Sequence, residues 1–349
     1  MPATLGQAYQ GPAFRLVDTI SSDQLARQGG FRPRARPLLI KGALNDWPAT
    51  QQWSFASFAA LRRKDGSELV TSFQNGLTEQ DATRAPLKQT ISPYLLKLDE
   101  IARKPRDSTR GLVPDTVLGK LIPGETFHAN WKHLDFPPDR AYLAVWNIFD
   151  DFPQLKRDLR IRALWPGLRT TWEYAFIGPA DTVTGLHNDY PDNWFCQFRG
   201  VKEFVLFPPE NRAFLSPSPR FDSGGEVCYT NVTKLGEPSE YRDRFAQANG
   251  LYARVERGDA LFIPKKTWHA VVALEPSISV GVFGLSVPEL ITAGIPSLTR
   301  DILHSWGLYQ RGNCTCHRIE GEADDAPPGE RLDPTPKPKA KPKDRIYRG

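Results

Sequence analysis

From residue 170 onwards, short apolar runs that end at glycine or proline dominate the pattern of hydrophobic and polar positions. The run 172–177 alternates between the two kinds of residue and stops at Gly178 and Pro179. Six further runs have the same character, and they span 193–198, 203–207, 252–256, 260–263, 269–274 and 277–285. Short strands separated by turn residues are typical of antiparallel sandwiches and barrels. The pattern therefore predicts a mainly β fold, with a polar insertion at 210–250.

The first half of the chain carries fewer regular signals. The run 38–40 predicts a short buried strand that ends at Gly42, and the run 142–146 predicts a second strand. Ser54 is a candidate helix N-cap, because apolar residues surround it at helical spacing: Trp53, Phe55, Phe58 and Leu61. Residues 64–135 are polar and broken by proline and glycine, so they give no clear assignment.

Helical spacing returns between residues 287 and 309, after the last predicted strand. The apolar positions there form one stripe, which consists of Leu290, Ile291, Ile295, Leu298, Ile302 and Trp306. A helix with such a stripe must bury it against another surface. Two interpretations stay open: the helix packs back onto its own barrel, or it pairs with a second copy in a two-fold homodimer.

Composition and charge narrow the class of protein. The 349 residues are 40% hydrophobic but contain no run of 18 apolar residues, which predicts no transmembrane helix. The N-terminus lacks the pattern of a signal peptide and only four cysteines are present, so we expect a cytoplasmic protein. The formal net charge is +5, and residues 326–349 hold four lysines, three arginines and three acids. This Pro/Lys-rich tail is predicted to be disordered. The near-neutral remainder disfavours nucleic acids as partners, and without a long apolar run no membrane partner is expected.

The strongest chemical signal is a His-x-Asp pair, His187 and Asp189, followed 80 residues later by His269. Residues i and i+2 of a strand point to the same face, so His187 and Asp189 can reach one ion together. Two imidazoles and one carboxylate are the ligand set that holds non-haem Fe(II) on one side and leaves the other side open. A His-x-Asp pair alone is common by chance, so the neighbouring sequence decides between a metal site and structural histidines.

Residues 184–209 read TGLHNDYPDNWFCQFRGVKEFVLFPP, and residues 258–269 read GDALFIPKKTWH. Together they resemble the JmjC and cupin-like family of Fe(II)/2-oxoglutarate oxygenases, in the order T-x-x-H-x-D, N, Q-x-x-G-x-K, L-F-P-P and G-D-x-L-F-I-P-x-x-x-W-H. Residues 36–53 also look like the N-terminal region of the asparaginyl hydroxylases that act on hypoxia-inducible factor. The resemblance implies a double-stranded β-helix, a jelly-roll or cupin barrel with flanking helices. It suggests an N-terminal extension over 1–30, an oxygenase domain over 31–286, a helical segment over 287–312 and the tail over 313–349.

Residue roles follow from the resemblance and not from spacing. It implies that His187, Asp189 and His269 ligate Fe(II), and that 2-oxoglutarate and dioxygen take the open positions of the iron. The resemblance therefore points to a 2-oxoglutarate-dependent dioxygenase that hydroxylates a C–H bond, in first place on a peptidyl side chain. Other outcomes stay open: hydroxylation of a free amino acid, a small metabolite or a tRNA base, N-demethylation, and a catalytically idle cupin that only binds. The intact triad and its accompanying lysine argue against the idle module.

The co-substrate pocket is also implied by the resemblance. Lys202 matches the position that binds the distal carboxylate of 2-oxoglutarate, a role that suits the compact charge of a lysine. Thr184 and Tyr142 match hydroxyl groups that share this carboxylate, and Asn193 matches a pocket asparagine. One position departs from the pattern, because the family's asparagine near the co-substrate falls at Gly281. The departure leaves the iron ligands untouched but alters the expected pocket.

Overall fold

Two β-sheets that face each other form the centre of the molecule. The computed structural model describes residues 9–75, 87–131, 141–166, 170–310 and 313–314. Within these ranges the strands are β1 (Ala13–Leu16), β2 (Asp18–Ser21), β3 (Leu38–Lys41), β4 (Val70–Asn75), β5 (Leu87–Thr90), β6 (Phe127–His128), β7 (Ala141–Trp146), β8 (Thr170–Gly178), β9 (Val183–Asp189), β10 (Asp192–Arg199), β11 (Lys202–Phe207), β12 (Gly225–Val227), β13 (Asn249–Val255), β14 (Ala260–Ile263), β15 (Trp268–Ala273) and β16 (Ser277–Leu285).

Short helices surround the sheets. They are α1 (Ser22–Arg27), α2 (Pro48–Gln52), α3 (Phe55–Ala59), α4 (Ile91–Ala102), α5 (Asp115–Leu118), α6 (Ile148–Asp151), α7 (Ile161–Leu164), α8 (Arg212–Leu215), α9 (Glu240–Phe245), α10 (Val287–Glu289) and α11 (Ile295–Ser305). Two 3₁₀ segments and one π-helical turn add to them, at Pro153–Asp158, Pro209–Asn211 and Leu290–Gly294. The predicted N-cap is confirmed, since the Ser54 side chain accepts a hydrogen bond from the Ser57 backbone N–H. Within the described ranges, no helix combines the length and apolarity needed to span a bilayer.

The sheet topology is that of a jelly roll, as predicted. The seven-stranded sheet has the order β12-β9-β15-β11-β13-β1-β6, and the nine-stranded sheet has the order β2-β3-β14-β10-β16-β8-β7-β4-β5. Among the described strand pairs, only β1 with β13 and β2 with β3 are parallel. The barrel strands therefore pair with strands that are distant along the chain, which is how residues 80 positions apart become neighbours. The mainly β fold with flanking helices is confirmed.

The alternation of side chains along the strands divides the core into three layers. Inward-facing residues of both sheets meet inside the barrel, namely Val17, Leu39, Phe195, Phe204, Leu206, Ala253, Val255, Leu261, Ile263 and Val271. The outer face of the nine-stranded sheet packs against α2, α3, α4 and α7, through residues that include Phe58, Leu95, Trp194, Phe198 and Val280. The outer face of the seven-stranded sheet is covered by a second layer that includes Trp131, Phe207, Phe245 and Tyr252. Because the outer faces of both sheets are covered, a ligand would reach the interior through the mouth of the barrel.

All nine predicted strands are present, and apart from β9, which carries His187 and Asp189, the additions lie where the sequence has no regular pattern. All seven runs after residue 170 correspond to strands, which are β8, β10, β11, β13, β14, β15 and β16. The insertion 210–250 contains β12, and the unassigned stretch 64–135 contains β4, β5 and β6. Residues 13–21 contribute β1 and β2, one to each sheet. The proposed domain boundaries stay a prediction, and most of the Pro/Lys-rich tail lies outside the described residues.

The segment 287–309 is helical as predicted, through α10, the π-helical turn and α11. Its apolar stripe is exposed, with 61% of Ile291, 54% of Ile295, 59% of Leu298 and 69% of Trp306 accessible. Another face of α11 contacts the insertion and the turn between β9 and β10: the His304 ring lies 4.7 Å from that of Phe221, and the Arg300 guanidinium lies over Tyr190. The interpretation in which the stripe packs on its own barrel is therefore wrong.

Candidate metal centre

Two neighbouring strands bring the three candidate ligands together. Strands β9 and β15 are antiparallel, and His187 is the register partner of His269. An irregularity between His269 and Val271 shifts the register of the ladder at this point. Asp189 lies two residues after His187 on the same strand, so both side chains project to the same side. The structure thus assembles the predicted triad at one end of the barrel.

The geometry of this triad fits a single metal ion. One possible ligand atom from each of His187, Asp189 and His269 lies within 4.8 Å of the others. The imidazole rings are 4.2 Å apart between centroids, and Nε2 of His269 lies 3.7 Å from a carboxylate oxygen of Asp189. Among the residues that the structure describes, this is the only group of three or more such side chains at metal-binding distances.

Hydrogen bonds orient both imidazoles for metal binding. Nδ1 of His187 lies 2.8 Å from the carbonyl oxygen of Gly185, and Nδ1 of His269 lies 3.0 Å from that of Thr267. A carbonyl only accepts, so each Nδ1 carries the proton and each Nε2 presents its lone pair, which is the usual arrangement of a ligating histidine. Burial, followed by the nearby His187, holds the pKa of His269 well below its usual range. His269 is therefore neutral, the form that a metal requires.

The triad lines a cavity between the two sheets. It occupies the wall formed by the seven-stranded sheet, and an aromatic wall formed by the nine-stranded sheet lines the same cavity. We define this aromatic wall as Trp172, Tyr174 and Phe283. The Trp172 and Phe283 rings are stacked, 6.4 Å apart at 15°, and the Tyr174 ring lies 5.9 Å from Phe283. Sequence reasoning did not single out these residues, although aromatic residues at 172, 174 and 176 mark one face of a strand.

Lys202 lies deep in the same cavity with no carboxylate beside it. It is 1% exposed, and its ammonium donates a hydrogen bond to the hydroxyl of Tyr142 at 3.2 Å. The rings of Tyr142, Phe176 and Phe195 surround it at 5.2–5.8 Å. Burial lowers the pKa of Lys202 to about 7. Among the described residues no acid forms an ion pair with it, so an anionic ligand would supply the missing counter-charge.

The other three predicted pocket residues surround the same space. Tyr142 and Thr184 hydrogen-bond through their side chains, and both line the cavity with Lys202. Asn193 is 4% exposed, lines the cavity, and has an Oδ1 atom without a hydrogen-bond partner. Gly281 faces the aromatic wall, where a side chain would collide with Phe283. All seven predicted site residues thus line one cavity. Lys202 and the hydroxyl groups of Tyr142 and Thr184 lie at its base, and the triad lies nearer its mouth.

Two further features of the cavity were missed by sequence reasoning. Val145 lines it with a backbone φ of 51°, a left-handed value that is costly for a β-branched residue, at a register shift between Leu143 and Trp146. No sequence signal predicts this conformation. The second feature is a lip formed by Asp222, Ser223, Gly224 and Gly225, which leads into β12. The glycine pair was a visible signal for a tight turn.

The family model and the similar proteins point to the same family. A family model described as "Cupin-like domain" matches residues 27–283. The chain is 25% identical over 254 residues to lysine-specific demethylase 8 of Xenopus tropicalis, covering 70% of this chain and 47% of that protein. It is 34% identical over 146 residues to lysine-specific demethylase 8 of Danio rerio, covering 40% of this chain and 35% of that protein.

A human relative is matched over more of its own length. The chain is 24% identical over 272 residues to the human bifunctional peptidase and (3S)-lysyl hydroxylase JMJD7, covering 70% of this chain and 76% of that protein. For the two demethylase relatives, the chain spans about half of the relative's length or less. The family model covers the barrel, the triad and the lysine pocket together. The chain therefore belongs to the cupin-like family of JmjC proteins.

Proposed function

We propose that this protein is an Fe(II)- and 2-oxoglutarate-dependent oxygenase that hydroxylates a C–H bond. The observation that carries the proposal is the pairing, in one cavity, of a two-histidine, one-carboxylate triad with a buried lysine that lacks a counter-charge. The first is the ligand set of non-haem iron oxygenases. The second is a receptor for a carboxylate. An idle binding module has no use for both.

Each residue has a distinct task in this proposal. Nε2 of His187, Nε2 of His269 and a carboxylate oxygen of Asp189 hold the iron from the side of the seven-stranded sheet. Lys202, with the Tyr142 hydroxyl, binds the distal carboxylate of 2-oxoglutarate. When bound, iron would supply the oxidising power for a hydroxylation in which 2-oxoglutarate and dioxygen are consumed and succinate and carbon dioxide are released. The aromatic wall keeps water away from this space.

For the substrate we propose a side chain of a protein or peptide. One relative is named as a lysyl hydroxylase and two as lysine-specific demethylases, so the printed names concern amino-acid side chains. Loss of an N-methyl group through oxidation begins with hydroxylation of that methyl carbon, so the same centre serves both outcomes. A free amino acid, another small metabolite or a tRNA base is the alternative that the experiment below separates from a peptide.

The test has two stages. Purified protein is first assayed for uncoupled conversion of 2-oxoglutarate to succinate with added Fe(II), beside two variants. His187→Ala removes a candidate ligand. His128→Ala is the matched control, because His128 lies on β6, at the edge of the seven-stranded sheet away from β9 and β15, and contacts the carbonyls of Gly11 and Pro12. Turnover by the wild type and the control, but not by His187→Ala, supports the proposal. A search of proteome and metabolite extracts for +16 mass shifts that need Fe(II) and 2-oxoglutarate then identifies the substrate. Equal 2-oxoglutarate turnover in the wild type, His187→Ala and His128→Ala would contradict the proposed function.

We further propose that the protein is a two-fold dimer through the 287–309 segment and works in the cytoplasm. The exposed stripe on α11 supports the dimer, because apolar patches of this kind mark interaction surfaces. The buried cysteines Cys196 and Cys228 are free thiols, which supports a reducing compartment.

A further inference from the structure

Gly281 has no side chain, and the ring of Phe283 occupies the room beside it. A Cβ built on Gly281 would lie 2.9 Å from Cε2 of Phe283 and 3.1 Å from Cε2 of Phe176. Ordinary van der Waals contact of a Cβ begins at 3.4 Å. Gly281 is not among the glycines with positive φ. The glycine is therefore needed for space and not for its backbone freedom.

Strand alternation fixes the side to which this pair belongs. On β16, Ile278, Val280 and Val282 pack into the outer core beneath the helices. Residues between them must point the other way, into the barrel. Gly281 and Phe283 thus face the cavity, and Phe283 is one of the residues that line it. The departure from the family pattern at Gly281 consequently changes the cavity and not the outer core.

Within the aromatic wall, Phe283 is the residue whose ring points toward the buried lysine. At the mouth it stacks on Trp172, its register partner on β8. At its inner edge it adjoins Phe176 across the room left by Gly281. The Phe176 ring in turn lies 5.8 Å from Nζ of Lys202. The rings of Trp172, Phe283 and Phe176 therefore follow one another along one side of the cavity, from the mouth near the triad to the lysine.

We propose that Phe283, seated in the room that Gly281 leaves, is a size filter for the middle of the 2-oxo acid. The inference rests on the proposed function, because its ligand is the dicarboxylate that links the triad to Lys202. The two methylene carbons of 2-oxoglutarate, C3 and C4, connect those two ends and must pass along these rings. A linear chain fits beside a flat ring, whereas a methyl branch on C3 or C4 meets the ring edge.

The experiment measures binding and not turnover. Wild-type protein is loaded with Mn²⁺ in place of iron, and the dissociation constants of 2-oxoglutarate and of its C3-methyl and C4-methyl derivatives are measured by calorimetry. Wild-type protein should bind the branched acids about tenfold or more weakly, the usual penalty for one badly accommodated methyl group. In Phe283→Ala the ratio between branched and linear acids should fall toward one. Phe283→Leu provides a milder opening of the same room if the alanine variant folds poorly.

A complementary variant tests the role of the glycine. Gly281→Ala should push the ring into the cavity and weaken binding of linear 2-oxoglutarate. Gly281→Ala combined with Phe283→Leu should recover that affinity, since the side chain that was displaced is now smaller. Gly236→Ala is the matched control, because a Cβ at Gly236 has no heavy atom within 4 Å and its φ is not positive.

The outcomes separate the size filter from the proposed function. If the wild type binds linear 2-oxoglutarate and Phe283→Ala and Phe283→Leu keep the wild-type ratio between branched and linear acids, the size filter is overturned and the proposed function stands. If the wild type does not bind 2-oxoglutarate at all, the proposed function fails and takes the filter with it. The filter is supported if both Phe283 variants lower the ratio between branched and linear acids and the Gly281→Ala, Phe283→Leu double variant recovers the affinity for linear 2-oxoglutarate.

Discussion

His187 and His269 are register partners on adjacent antiparallel strands, and their rings lie 4.2 Å apart. Paired positions on neighbouring strands are the closest approach that a sheet offers to residues distant in sequence. Both rings are oriented by a hydrogen bond from Nδ1 to a carbonyl two residues earlier on the chain, at Gly185 and Thr267. The two imidazoles are therefore oriented by nearby backbone carbonyl groups without any bound ion.

Removing the carboxylate of the triad should abolish iron binding. Asp189→Ala leaves two protein ligands where three are expected, so stoichiometric Fe(II) binding and 2-oxoglutarate turnover should both be lost, while circular dichroism remains that of a folded barrel. Iron content after anaerobic loading and desalting is the measurement. Asp46→Ala is a suitable control, because Asp46 is an exposed acid paired with Arg160 on the surface. Full iron content in Asp189→Ala would remove this residue from the centre.

Lys202→Ala should raise the 2-oxoglutarate requirement much more than the iron requirement. A charge-assisted contact contributes about 1.5–3 kcal/mol, which corresponds to about a 10- to 100-fold loss of affinity. The dissociation constants of 2-oxoglutarate and of the metal should be measured separately by titration. Lys120→Ala, an exposed lysine, controls for loss of positive charge. If the 2-oxoglutarate affinity of Lys202→Ala equals that of the wild type, the lysine has no role in co-substrate binding.

The depressed pKa of Lys202 should also appear in the pH dependence of stability. Burial lowers the pKa of this group to about 7, whereas its ordinary value is 10.5. Between these two values the unfolded chain holds a proton that the folded chain lacks, so this group makes the folded state more stable as pH rises through the window. Lys202→Met has no such group. The free energy of unfolding of the wild type relative to Lys202→Met, measured with denaturant in the absence of ligands, should therefore increase from pH 7 to pH 9.5. Parallel pH profiles would contradict the assignment.

The exposed stripe on α11 predicts a dimer that a single charge disrupts. Leu298 is 59% exposed, so Leu298→Glu should leave the fold intact while placing a charge in the centre of the interface. Light scattering at micromolar concentration should give a dimer for the wild type and a monomer for the variant. Leu96→Glu, at another apolar residue with 55% exposure, should remain dimeric. A monomeric wild type would rule out the dimer.

The sequence was sufficient for those parts of the site that are encoded locally. His187, Asp189 and Lys202 lie within one stretch of sixteen residues, and their neighbours carry the family pattern. Seven strands after residue 170 could be predicted because each corresponds to a short apolar run that ends near turn residues, as in the run that became β14. Strand alternation then gave the common orientation of His187 and Asp189 without any knowledge of the partner strand.

Features that depend on packing between distant strands were beyond such reasoning. The φ of Val145 arises from a register shift between β7 and β8, which no local pattern records. Strand β12 is three residues long, contains Gly225, and is defined only by its pairing with β9. The exposure of the α11 stripe likewise depends on which face of the helix meets Tyr190 and Phe221. In each case two segments must be placed in space before the feature exists.

Because 80 residues separate Asp189 from His269, metal binding would also affect the stability of the fold. An ion held by β9 and β15 would close a long loop of chain and would bind only when both strands are already paired, so its binding free energy would add directly to folding. At a free-ion concentration 100-fold above the dissociation constant, the gain would be about 2.7 kcal/mol. A bound ion would thus stabilise the folded barrel by holding together two strands that are distant along the chain.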